Sequence, residues 1–85
     1  MKSFEYTITD EIGIHARPAR KLSEEAKKYQ SKIIIKKNGQ SVEVLKLMAL
    51  LRLSVKCGQT VTVEVTGADE TMAYEEMLKF FRENL

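Results

Sequence analysis

Cysteine occurs once in this chain, as Cys57, so no disulfide can form within it. Small secreted domains rely on even sets of bridges, and a lone thiol also lacks the paired spacing of a zinc site. A reducing compartment fits, and the cytoplasm is the expected location. No apolar run reaches the length of a membrane span, which argues against membrane insertion. The first residues alternate charged and apolar side chains, unlike a signal peptide. Charge of one sign is scarce too: 14 Lys and Arg face 12 Asp and Glu, a net of +2, too balanced for nucleic-acid binding by charge alone. There is a single histidine and a single proline. No second histidine, carboxylate pair or Gly-rich nucleotide loop accompanies that histidine, so nothing suggests a stand-alone catalyst, a metal or a cofactor.

What is present suits one small domain over residues 1–85. Apolar residues make up 44% of the sequence, enough for a core and too many for a disordered chain. Phe4, Tyr6 and Ile8 alternate with Ser3, Glu5 and Thr7, the period of a half-buried strand. Thr9 to Gly13 reads as a loop. From Ala16 to about Tyr29 the period becomes helical, with Ala16, Ala19, Leu22, Ala26 and Tyr29 on one face. Pro18 marks the first turn, and Glu24 and Lys28 stand four apart in the order that favours an ion pair. Lys32 to Lys37 is an isoleucine-rich strand. Asn38-Gly39 is the strongest short hairpin signal, and Gln40 to Val44 returns. Leu47, Leu50, Leu51 and Ser54 suit a short helix within Lys46 to about Leu53, although periodicity alone leaves a strand open there. Cys57-Gly58 is a turn, and Thr60 to Thr66 alternates with Val61, Val63 and Val65 on one face. A last helix starts at Ala68 or Asp69, with Ala73, Met77, Phe80 and Phe81 as its apolar stripe. The order β-α-β-β-α-β-α, with a tight hairpin, predicts an α+β sandwich with helices on one face of an antiparallel sheet.

The segment Gly13-Ile14-His15-Ala16-Arg17-Pro18-Ala19 is the most informative. It puts the only histidine where a loop enters a helix. Gly13 permits a turn. His15 falls at or beside the N-cap, so the N–H groups of Ala16 and Arg17 have no intrahelical partner and make an anion site. Arg17 adds a planar fork suited to phosphate oxygens. An imidazole is a competent nucleophile near neutral pH. A lone histidine at a helix start is more often a cap or a surface residue, and spacing alone leaves that alternative standing.

The seven residues resemble the active-site signature of HPr, the histidine-containing phosphocarrier family of the bacterial sugar phosphotransferase system. The resemblance spans the chain: its length, its order of elements, the Asn38-Gly39 hairpin and the Gly67-Ala68-Asp69-Glu70 entry to the last helix. It implies an open-faced β-sandwich, a four-stranded antiparallel sheet covered on one face by three helices. It implies that His15 accepts a phosphoryl group on Nδ1 from enzyme I. The group then passes to the sugar-specific A components of permeases, while Ala16 and Arg17 hold it. It also implies a docking surface with Arg17, Arg20 and Lys21 on one side and Leu47, Met48, Leu51 and Arg52 on the other. A small apolar centre with a basic rim suits brief contact with acidic partners. Leu50 and Leu53 fit the core instead. A monomer is expected, because such docking is transient.

Two positions depart from the family pattern. Many members carry a serine where this chain has Lys46, and a dedicated kinase phosphorylates it in Gram-positive members. Lysine cannot accept that phosphate, so this switch is expected to be absent. Glu24 is acidic where the docking face is often basic or neutral. A paralogue serving a nitrogen-related or single-sugar branch is therefore an alternative. A regulatory binding module on the same fold is another, though relatives of that kind tend to lose the histidine. No role can be argued for Cys57.

Overall fold

A computed structural model describes all of residues 1–85. Four strands, β1 (Lys2–Thr7), β2 (Lys32–Lys37), β3 (Gln40–Glu43) and β4 (Thr60–Thr66), form one antiparallel sheet. Three helices, α1 (Ala16–Ala26), α2 (Leu47–Arg52) and α3 (Glu70–Asn84), lie against it. The strand order is β1-β4-β2-β3, so β4, last in sequence, sits between β1 and β2.

The two-residue alternation puts one face of each strand under the helices. Val61, Val63 and Val65 of β4 and Ile33 and Ile35 of β2 are buried. They meet Leu22 and Ala26 of α1, Leu50 of α2, and Ala73, Met77 and Phe81 of α3 in one core. Phe81 anchors the β1 side. Phe4 and Tyr6 approach its ring edge to face, with centroids 5.5 and 5.6 Å away, a geometry that aromatic quadrupoles favour. The other face carries Ser3, Glu5, Thr7, Thr62, Glu64 and Lys36 and has no helix over it.

The sequence-derived elements are the observed ones, with differences at their ends. Helix α1 stops at Ala26 rather than near Tyr29. Lys27 caps it, and the N–H groups of Lys28 and Tyr29 turn back to Glu25 and Ala26. Tyr29 still packs on the core, which explains its place in the helical pattern. Ser54 lies beyond α2, at φ 54°. The Lys37 ammonium closes this end, donating to the carbonyls of Leu53 at 2.9 Å and Ser54 at 2.8 Å. Asn38 and Gly39 both have positive φ, 50° and 81°, as a tight hairpin turn requires.

Asp69 is the N-cap of α3, but its side chain makes no capping bond to that helix. Its carboxylate reaches across to the α1–β2 loop, accepting from the N–H of Gln30 at 2.9 Å and from the N–H and hydroxyl of Ser31. The Ser31 hydroxyl and the Gln30 amide hold this carboxyl below its ordinary range. Glu70 takes the nearer duty, accepting from the Gly67 N–H at 3.1 Å.

Candidate functional site

His15 stands at the junction that its neighbours dictate. Gly13 turns the chain at φ 84° and lies so close to the segment before β4 that a Cβ would come within 2.3 Å of the Val55 carbonyl oxygen. The next residue, Ile14, is buried and donates its N–H to that same carbonyl at 2.9 Å. On the outer side, the Asp10 carboxylate accepts from the Ile12 N–H at 2.9 Å and the Asp10 carbonyl from the Gly13 N–H at 3.0 Å. The loop is thus clamped on both sides of the glycine, and His15 is delivered to the surface half-buried.

His15 is the N-cap of α1, with extended backbone at φ −123° and ψ −173°. Its carbonyl accepts the first helical bond, from the Ala19 N–H at 2.9 Å, but its imidazole makes no capping bond. The ring is therefore free for chemistry. The N–H groups of Ala16 and Arg17 make no hydrogen bond within the chain, and Pro18 has none to offer. A helix start with two free amides, no acid in its first turn and the positive end of the helix dipole favours an anion beside the imidazole.

Side chains add to that charge. His15, Ala16, Arg17, Arg20, Lys21 and Glu24 line an open depression of about 540 Å³. Arg17, Arg20 and Lys21 are exposed and make no salt bridge. A second depression of about 290 Å³ meets the other side of His15 and Arg17. Asp10, Ile12 and Asn84 line it, and none of the three was picked out from the sequence. Ile12 is 64% exposed. Its signal, an aliphatic residue in a polar loop, was present but weak. Asn84 comes from the far end of the chain, and no local pattern announces it.

The predicted apolar half lies on α2 and its approach. Met48 is 61% exposed. Leu47 and Leu51 are half-buried and pack on the core, so each has both a structural and a surface side, while Leu50 and Leu53 are buried. Arg52 is exposed at the end of the helix. Leu45, not singled out from the sequence, is also 52% exposed. The two halves are joined through the Ser23 hydroxyl of α1, which donates to the Leu45 carbonyl at 3.3 Å. The depression around His15 does not extend to the α2 residues; they form a neighbouring surface rather than part of its lining.

The two departures are also placed. Lys46 is the N-cap of α2, and its ammonium lies 3.3 Å from Glu43, which also faces Lys32 at 3.7 Å. The expected Glu24–Lys28 pair is not formed. Lys28 binds Glu25 at 3.0 Å, because the Tyr29 hydroxyl, donating to Glu25 at 2.8 Å, already orients that carboxylate. Burial pushes the Glu25 carboxyl up, but the bonds from Tyr29 and Lys28 outweigh it and leave it below its ordinary range. Burial and the bond to Glu25 push the Tyr29 phenol well above its own.

No helix is long and apolar enough to cross a membrane. The family model described as "PTS HPr component phosphorylation site" matches residues 2–83. The phosphocarrier protein HPr of Mycoplasma capricolum is 35% identical over 75 residues, 88% of this chain and 84% of that protein. Among solved structures, HPr-C-His from Thermoanaerobacter tengcongensis superposes with a TM-score of 0.92 at 29% identity, covering 98% of this chain and 93% of that one. A mycoplasma histidine-containing phosphocarrier protein gives the same score at 30% identity over 96% and 93%. With the sheet, the three helices and the matched sequence in agreement, the chain belongs to the HPr family of phosphocarriers of the phosphotransferase system.

Proposed function

We propose that this protein accepts a phosphoryl group on His15 from enzyme I and passes it to the A components of sugar permeases. The observation that carries this is the free imidazole at the start of α1, beside the unbonded N–H groups of Ala16 and Arg17 and the unpaired Arg17 guanidinium. In uptake Nδ1 attacks phosphorus in line, the N–P bond forms, and the bond from phosphorus to the donor breaks. The next acceptor reverses the step. Nothing is oxidised or reduced, so positioning and charge stabilisation are all the protein must supply. The phosphoryl oxygens take hydrogen bonds from the two amides and from Arg17, charge-assisted in the case of the guanidinium.

Arg20 and Lys21 steer acidic partners, and Leu47, Met48, Leu51 and Arg52 give them a small surface to dehydrate. The whole chain acts as one HPr-like unit, a monomer of the cytoplasm. The serine-kinase switch is absent, since Lys46, at the N-cap position of α2 and paired with Glu43, has no hydroxyl to phosphorylate.

Incubation with phosphoenolpyruvate and enzyme I should place acid-labile phosphate on the wild type and none on His15→Ala. An unlabelled wild type would sink the carrier role, and label retained in His15→Ala would sink the site. Arg17→Ala should fold normally and transfer at least about tenfold more slowly.

A further inference from the structure

Arg17, Arg20, Lys21 and Glu24 fall three, four and seven residues apart, which makes one stripe of α1 leading away from His15. All four are exposed and line the same depression. The stripe reads positive, positive, positive, negative. Glu24 stands in the last turn of α1, a turn with no basic residue, where the negative end of the helix dipole disfavours a carboxylate. It has no ion-pair partner. Lys28, which shares a neighbouring groove with it, is engaged by Glu25. Nor does its carboxylate accept any hydrogen bond, unlike those of Glu25, Asp69 and Glu70. Arg20 and Lys21, four and three residues before it on the same stripe, favour an acid here, yet neither forms an ion pair with it, so the carboxylate stays free at the edge of a basic surface.

We propose that Glu24 is a specificity-determining residue of the docking face, selecting partners that place a cation over the last turn of α1 and disfavouring those whose surface is acidic throughout. This rests on the carrier role proposed above and deepens it. A charge at the edge of an interface acts mainly on encounter and on rejection of wrong partners, because like charges brought together there are costly to both. Three cations near His15 attract any acidic surface, and one anion two turns away sorts among them. Its distance from the imidazole along the helix keeps it out of the bond-making step.

The test uses the intact phosphorylated protein and a set of permease A components whose docking faces range from wholly acidic to mixed in charge. Wild type, Glu24→Gln and Glu24→Lys are compared with Glu5→Lys. That control makes the same charge change on the exposed side of the sheet, away from the helices. Glu24→Lys should raise the second-order transfer rate to the wholly acidic acceptors by about three- to tenfold at low salt. It should lower the rate to an acceptor with a cation at that place by a similar factor, with Glu24→Gln intermediate. Added salt should shrink these differences. Glu24 is exposed and makes no bond, so the thermal midpoints of Glu24→Gln and Glu24→Lys should stay close to that of wild type, and lost transfer cannot then be blamed on folding. Glu5→Lys should leave the order of acceptors as it was. The same factor for every acceptor, or equal effects of Glu24→Lys and Glu5→Lys, would overturn the proposal. Failure of enzyme I to label the wild type would instead remove the carrier role on which it stands, and is read before any variant is compared.

Discussion

At the scale of single residues, the site depends most on Gly13. Replacing it with alanine would drive a methyl group into the Val55 carbonyl and hold a non-glycine residue at φ 84°. Gly13→Ala should cost roughly 2 kcal/mol or more in a urea titration. Gly39 has the same sign of φ but nothing within 4 Å of its would-be Cβ. Gly39→Ala should therefore cost only about 1 kcal/mol, the conformational part alone. A second residue-scale effect is acid sensitivity. Asp69 titrates below its ordinary 3.8 in the folded chain because Ser31 and Gln30 donate to it. Its contribution is fully present above that ordinary value and is lost as pH falls through the depressed folded one. Asp69→Asn should flatten the acid limb of the stability curve, measured by urea midpoints between about pH 5 and pH 2. His15, Ala16 and Arg17 were legible because their chemistry lies in consecutive residues. Asp10, Ile12 and Asn84 were not, because only the folded chain brings them beside His15. Asp69 was seen as a helix-start acid, and its bond across to Ser31 could not be read from local pattern.

At the scale of elements, period and turn chemistry carried most of the information. The isoleucine run before the Asn38-Gly39 turn and the alternation of β4 determined β2 and β4 to the residue. Helix ends were less legible, since α1 ends through backbone bonds of Lys27, Lys28 and Tyr29 that residue types do not encode. Helix α2 was the ambiguous element. It is six residues long and has no side-chain cap at its start, and helices so short depend on tertiary support. Lys37 supplies part of that support at the other end. Lys37→Met should destabilise the protein by roughly 1 kcal/mol, because a charged donor to the last carbonyls is lost. Amide exchange should accelerate in Leu50 to Ser54 more than in β4. Uniform acceleration across the chain would show that Lys37 contributes only to global stability.

At the scale of the whole molecule, the helices occupy one side of the sheet, and the proposed site lies at the start of α1 with α2 beside it. The chain's net charge is only +2, yet Arg17, Arg20 and Lys21 crowd one depression. Composition could not reveal this, because it averages over the surface. If local charge drives encounter, the rate of transfer from enzyme I should fall at least about threefold between roughly 0.05 and 0.5 M salt, as the screening length shrinks. A flat salt profile would assign docking to the apolar residues of α2 instead.

The strand order has a consequence for how the protein is made. Strand β1 pairs only with β4, and the loop that presents His15 leans on Val55 and Lys56, just ahead of β4. A ribosome has released His15 early, but the surfaces that shape its loop emerge some forty residues later. A chain that has not yet reached β4 therefore holds the histidine without the backbone that clamps its loop.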